Sequence, residues 1–387
     1  MKLPKDIDFI LKRFETAHYQ AFVVGGAVRD YLLNKKPLDY DIATNATPGE
    51  IKTLFADKKT FDTGIKHGTV SVMIKKRRIE ITTFRQENKY EKYRRPDQVV
   101  FVHDLEKDLS RRDFTMNAIA YHNQMHDYFN GVEDIKNKII RCVGDPSIRF
   151  QEDALRILRA LRFSCQLGFQ IEEQTKKAIF DHKQLLIHIS KERILDEWTK
   201  MIQHDISYVI PEYNSVLQTI MPSITQEELL WFAHFNHRLK DDVLKATALV
   251  LRSKKTKLLE NLNYPKKIIK QVNIILNYID VAIPNHIQEI KKILMHIHKT
   301  DLLRIVKIQK LLKIKTCSYS IINKIPEEKY ELNYLAITGT DLLKAGFPSG
   351  DIIAYTLHYL LEKVLEEKIV NKKEYLIGEA VKIKKMQ

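Results

Sequence analysis

The chain has 387 residues, 44% of them hydrophobic, with 64 Lys and Arg against 49 Asp and Glu, a formal net charge of +15. That length exceeds one compact core, so about two to four domains are expected, and a basic excess of this size favours a polyanionic partner. No apolar run approaches the roughly 18 residues of a membrane span, so no membrane partner is expected; the start MKLPKDIDFILKRF has acids and no small-residue cleavage site, so no signal peptide is read; and Cys142, Cys165 and Cys317, without CxxC spacing, argue for a reducing compartment, the cytoplasm, against a disulfide frame or structural zinc.

Before residue 140, β-type segments dominate: AFVVGG, YDIAT, GTVSVMI, RIEITTF and QVVFV, with GTVSVMI and RIEITTF flanking KKRR as a hairpin. Gly25 and Gly26 close the first of these and open a helix at Ala27. Glycine lets backbone approach a bulky anion, a helix start offers free N–H groups, and Arg29 lies one turn in. The plainer alternative is a tight strand-to-helix turn with Arg29 paired to Asp30.

Next comes LDYDI. If Leu38 to Ile42 is a strand, Asp39 and Asp41 share a face, where two carboxylates repel unless a cation lies between them. Magnesium takes such hard oxygen ligands and shares them with phosphates, and Glu80 in RIEITTF supplies a third carboxylate. A solvated turn is the alternative. In DLSRRDFTMNAIAY, Asp113 or Thr115 suits a helix cap, Thr115 to Tyr121 continues as helix or strand, and Arg112 suits a phosphate or ribose.

After residue 140 helical periodicity takes over, so the whole reads as an α+β head followed by a helical array. In QEDALRILRALRFSCQLGF, Ala154, Ile157, Leu158 and Leu161 form the core face of a helix. Asp153, Arg156, Arg159 and Arg162 run at three-residue steps along the other side, with Leu155 intruding. This stripe is either solvated, with an Asp–Arg ion pair, or a reader of base edges. Cytosine and adenine each present an amino donor beside a ring-nitrogen acceptor; guanine and uracil present the reverse. One Asp–Arg pair therefore accepts C and A and rejects G and U.

Turn signals follow near Pro211, Pro222, Pro284 and Pro326, and AGFPSGD ends one helix and starts another. Arg252 to Lys270 holds seven basic residues and one acid, a candidate phosphate track or a solvated lysine face. His234 and His237 in HFNHRLKDD read as helix surface, not as a phosphohydrolase pair.

GGAVRDYLL, LDYDIAT, RRDFTMNA, EDALRILRALRF and KERILDEW resemble, in order and spacing, the five motifs of class II tRNA nucleotidyltransferases: the CCA-adding enzymes and their poly(A) polymerase relatives. The likeness covers roughly residues 5 to 200, and ITGTDLLKAGFPSGDIIAYTLHYLLEKVLEEKIVNKKEYL is similar to the tail of compact bacterial members. It implies a seahorse-shaped molecule with a polymerase-β-like head built on a mixed β-sheet (1–140), then an all-helical neck (141–202), body (203–280) and tail (281–387), the tail binding tRNA. It implies Mg2+ on Asp39 and Asp41 with Glu80 assisting, the triphosphate at Gly26 and Arg29, and a nucleotide contact at Arg112. Asp153 and Arg156 match the base-selecting pair, with Arg159 and Arg162 in the same pocket. Glu192, Arg193 and Glu197 match the neck motif that props up that helix, or form a plain surface network.

The implied reaction adds C, C and A to the tRNA 3′ end from CTP and ATP. Members that add only CC lack a flexible loop between the DxD and RRDFT motifs; FRQENKYEKYRRPDQVVFV fills it here, favouring full addition over partial addition. The longer basic extension usual in poly(A) polymerases is lacking. A catalytically dead tRNA-binding protein would not need paired carboxylates, and an enzyme acting on a small molecule would not need the long basic helical half. A homodimer stays open.

Overall fold

A computed structural model describes residues 1–62, 64–91, 95–326 and 330–386, with 87–91, 95–99 and 384–386 described by their backbone alone. The chain divides into two compact units, Met1–Arg238 with Asn261–Asn263, and Leu239–Glu260 with Tyr264–Gln387.

The first unit begins α1 (Lys5–Thr16), β1 (Ala21–Val24), α2 (Gly26–Leu32), β2 (Asp41–Thr44), α3 (Pro48–Leu54), β3 (Thr60–Phe61), β4 (Thr69–Ile74) and β5 (Arg77–Thr83). It continues β6 (Arg85–Glu91), β7 (Arg95–Phe101), α4 (Leu105–Ser110), β8 (Ala120–His122), β9 (Gln124–His126) and α5 (Gly131–Lys136). Four helices follow that bear on the site: α6 (Pro146–Glu152), α7 (Leu155–Leu167), α8 (Glu173–His182) and α9 (Lys191–Met201). Seven strands form one mixed sheet in the order β3-β4-β5-β2-β1-β8-β9. β4 and β5 make the expected hairpin, while β2 and β5 run parallel and place Asp41 opposite Glu80. The stretch between the DxD and RRDFT motifs forms the separate antiparallel pair β6–β7; its centre, 92–94, lies outside the described residues.

Local sequence explains each element near the site. Thr47 and Glu50 close a reciprocal capping box on α3, with Pro48 in its first turn, where a missing N–H costs nothing. Val24, Ala43, Phe84, Leu105, Leu109, Ala118, Ala120 and Val143 form one buried cluster between the sheet and α4. Each large side chain there contributes roughly 1.5–3 kcal/mol by leaving water. The cluster holds β1 and β2 rigid directly beneath their loop ends.

Four expectations change in detail. The aspartate strand starts at Asp41, not Leu38: β1 ends its ladder at Val24 opposite Asp41, the chain then turns at Gly25, and Asp39 stands beyond the last rung. α2 begins at Gly26 rather than Ala27. The segment after Asp113 is neither one helix nor one strand but a 3-10 turn (Thr115–Asn117) followed by β8, and no side chain caps that turn. Pro211 sits in the first turn of the helix Val209–Ile220, where proline's fixed φ is at home, instead of breaking the chain.

The second unit has no strand among its described residues, its helices running from Asp242–Val250 to Lys373–Met386. Asp241 caps the first of these through Leu244 N at 3.0 Å, and Arg304 fixes the cap with two bonds of 3.1 and 2.8 Å to the same carboxylate. No helix among the described residues is long and apolar enough to cross a membrane. All three cysteines are buried and free.

Candidate active site

A cavity of about 720 Å3 opens in the first unit, bordered by Gly25, Gly26, Asp39, Asp41, Arg112, Asp153 and Arg156 among others. Residues from both ends of the first 200 therefore face one space.

The glycine turn forms its floor. Gly25 has φ +71° and ψ −132°, which disfavours a side chain, and a Cβ there would come within 3.2 Å of Arg112 Nη1. Asp39 and Asp41 both border the cavity, although only Asp41 is in the strand. Desolvation raises the Asp41 carboxyl above its usual range; Arg112 opposes this, and the Glu80 and Asp39 charges add to it. Asp39, Asp41 and Glu80 are exposed. No set of three His, Cys, Asp or Glu side chains among the described residues stands close enough to hold an ion, so Glu80 is beside Asp41 without closing a three-carboxylate cage. The pair Asp39–Asp41 nevertheless offers hard oxygen donors whose mutual repulsion a divalent cation would relieve.

Around this floor the arginines are held in place by acids. Arg29 is buried, with Nε and Nη2 donating to Asp30 at 3.0 and 2.7 Å, so the plain pairing with Asp30 is what forms. Its third branch, Nη1, donates to Asn117 Oδ1 at 2.9 Å. Arg111 and Arg112 share the buried Asp108 at 2.7 and 3.3 Å, and Arg112 Nε has no hydrogen-bond partner.

The helix stripe differs most from its expected form. Asp153 is not on α7: its backbone is extended (φ −143°, ψ 100°), and it separates α6 from α7. Its carboxylate accepts Leu155 N at 3.1 Å and takes two bonds from Arg193, at 3.2 and 2.7 Å. Asp153 is thus paired with Arg193 of the neck motif. Arg156 donates to Glu152 at 2.6 Å and to the Arg149 and Arg111 carbonyls at 3.2 and 2.8 Å. Two arginines of the stripe are buried, Arg156 and Arg162 at 8% exposed each, while Asp153 and Arg159 are half-buried. Arg159 pairs with Asp113 at 2.6 Å and approaches Glu197 at 3.6 Å, and Arg162 binds the buried Glu197 and Gln166. Of the neck residues, Arg193 and Glu197 are in this network, while Glu192 is exposed and accepts from Asn263 at 3.3 Å. His234 lies exposed on the helix Gln226–Asn236, as expected of a surface residue.

Sequence reasoning gave no site role to Asp108, Asp113, Asn117 or Phe163. The available signal was Asp113 and Asn117 at i and i+4, two short polar residues flanking the apolar FTM and AIAY runs. Asp113 is 8% exposed. Burial alone would raise its carboxyl, but the Arg159 guanidinium and the Asn117 amide hold it down at about 2. A folded-state value below the unfolded one gives stability that is present above pH about 4 and disappears as pH falls toward 2, roughly 2 kcal/mol for such a shift. Urea unfolding at pH 5 and pH 3 should show Asp113→Asn losing less stability across that interval than the parent chain. Equal losses would remove Asp113 from the acid-sensitive groups.

Three family models match the chain: the poly(A) polymerase head domain over residues 21–141, the probable RNA and SrmB-binding site of polymerase A over 168–210, and tRNA nucleotidyltransferase domain 2 over 240–380. The chain is 37% identical to a CCA-adding enzyme of Lactobacillus helveticus over 382 residues, covering 94% of this chain and 93% of that one. It is 38% identical over 384 residues to a CCA-adding enzyme of Listeria innocua, covering 95% of each. Among solved structures it superposes on the Bacillus stearothermophilus CCA-adding enzyme in complex with CTP with a TM-score of 0.83 and 30% identity, covering 100% of this chain and 99% of that one.

Proposed function

Because the chain belongs to the tRNA nucleotidyltransferase family of the CCA-adding enzymes, we propose that it adds C, C and A to the tRNA 3′ end. CTP and ATP are the donors, no nucleic acid template is used, and pyrophosphate is released. The observation that carries this reading is a single cavity bordered at once by the glycine turn, the paired carboxylates and the Asp153–Arg156 edge.

In each step the tRNA 3′ oxygen bonds to the α-phosphorus, the bond to the pyrophosphate oxygen breaks, and the hydroxyl proton passes to solvent. Asp39 and Asp41 hold the divalent ions, magnesium in this proposal, which when bound supply charge neutralisation at the triphosphate and a more acidic hydroxyl. Glu80, next to Asp41, adds negative charge that favours cation binding. Gly25 and Gly26 let backbone N–H groups approach the triphosphate, and Arg112, which borders the cavity, donates to its oxygens. The base amino group donates to Asp153 while Arg156 donates to the ring nitrogen. Both side chains enter this pairing already oriented, Asp153 by Arg193 and Arg156 by Glu152, so little rotamer freedom remains to be lost. Glu197 supports the helix through Arg159 and Arg162, and Glu192 belongs to the same neck helix. Exposed lysines between Arg252 and Lys270 serve as phosphate contacts to tRNA, by shape more than sequence. The cytoplasm is the proposed location.

The test is incorporation of labelled CTP and ATP into tRNA lacking its last three nucleotides. A product longer by three residues supports the reading. Long A tails would point to poly(A) synthesis, extension by C alone to partial addition, and no incorporation to a binding protein. Asp153→Ala should lower discrimination against UTP at least about tenfold in relative kcat/KM, because the half-buried acceptor that rejects the wrong base is gone. Unchanged discrimination would mean the carboxylate serves only to hold Arg193.

A further inference from the structure

The two ends of the cavity are joined by one side chain. Arg29 on α2 donates through Nη1 to Asn117 Oδ1 at 2.9 Å, and Asn117 Nδ2 donates to Asp113 Oδ1 at 3.2 Å. The other oxygen of Asp113 receives Arg159 of α7 at 2.8 Å, and Arg159 in turn faces Glu197 of α9 at 3.6 Å. The amide orientation is forced: a guanidinium has only donors and an ionised carboxylate only acceptors, so Oδ1 must face Arg29 and Nδ2 must face Asp113. Asn117 is 7% exposed, and its own carbonyl accepts from Arg112 Nη1 at 3.4 Å. Among the described residues it is the side chain that hydrogen-bonds both the glycine-turn arginine and the acid that holds the base-side helix.

We infer that Asn117 is a positioning residue that ties the triphosphate end of the nucleotide site to the base end, so that the two are set as one unit. This rests on the nucleotidyl-transfer reading above. A buried chain of charged hydrogen bonds holds a single geometry when every member is satisfied, and loses it when a central member is removed. The segment that carries Asn117 is anchored at both ends, because Gly25 N bonds Ile119 O at 3.3 Å and Val143 N bonds Asp113 O at 3.1 Å. A rigid backbone therefore presents the amide to both partners. A second contact spans the same gap: the Phe163 ring lies 5.2 Å from the Arg29 guanidinium and 5.4 Å from that of Arg159. The ring provides attraction without a donor–acceptor direction, so the amide and not the ring fixes the relative setting of the two arginines.

The experiment is a double-mutant cycle of Arg29→Lys and Arg159→Lys, read as CTP dissociation constants on the full chain with and without Asn117→Ala. With Asn117 present, the double variant should depart from the product of the single effects by about fivefold or more; with Asn117→Ala, it should agree within about twofold. Purely structural weakening would scale all variants together and leave the departure in place. Asn117→Asp, which keeps the acceptor for Arg29 and sets a carboxylate against Asp113, should also abolish it and serves if the alanine variant does not fold, as judged by its unfolding curve. A departure that persists in both variants, or that is missing in the parent chain, overturns the inference. The binding cycle needs no turnover, so failure of the parent chain to extend tRNA counts against the proposed reaction and not against this coupling.

Discussion

Asp41→Ala should lower nucleotide addition by about a thousandfold or more, with CTP affinity and folding largely kept. The size follows from the role: a cation held where charge develops is worth several kcal/mol in the transition state, and each 1.36 kcal/mol is a factor of ten. The retained affinity follows from the layout. Arg29 and Arg112 border the cavity and are each paired with another acid, Asp30 and Asp108, which the substitution does not touch. The retained fold follows from the electrostatics. Desolvation, with the like charges of Glu80 and Asp39, outweighs the attraction of Arg112, so the ionised Asp41 carboxylate is held at a net cost that its removal relieves. The thermal midpoint should stay level or rise. Single-turnover CMP transfer, CTP binding and a melting curve check the three parts. Transfer within tenfold of the parent chain would remove the cation assignment.

The largest stability effect belongs to Glu197→Ala. Glu197 is 3% exposed and lies between Arg162, itself 8% exposed, and Arg159. Truncation leaves a buried guanidinium without its acid, a change that costs about 3–5 kcal/mol in comparable buried pairs. Replacing both partners by apolar residues, Glu197→Leu with Arg162→Met, should recover most of that loss, since neither desolvated charge then remains. Urea unfolding of the single and double variants decides it. A single-variant cost below about 1 kcal/mol would mean water reaches Arg162 and the pair is not a support.

Different parts of the chain were legible to different degrees. The hairpin β4–β5 and the strand carrying Glu80 follow from apolar alternation, and the helix after Asp153 follows from Ala154, Ile157, Leu158 and Leu161 at helical spacing. The start of β2 was misplaced because alternation in LDYDI does not reveal where a partner strand turns away; Gly25 on the neighbouring strand decides that. The stripe reads in sequence as either solvated or a base contact, and neither reading contains the ion pairs that hold it. Its arginines pair with acids from other elements, and no periodicity within the helix records this.

By itself the sequence determined which chemical groups are present and which short segments carry them. Strand alternation, helical spacing and the five motifs are local properties, set by side chains within a few residues of one another. Tertiary structure alone decided the pairings: Arg193 with Asp153 across 40 positions, Arg159 with Asp113 across 46, and Arg162 with Glu197 across 35. A charge removed from water must be met by whichever opposite charge the fold brings near, and that neighbour is chosen by packing, not by distance along the chain.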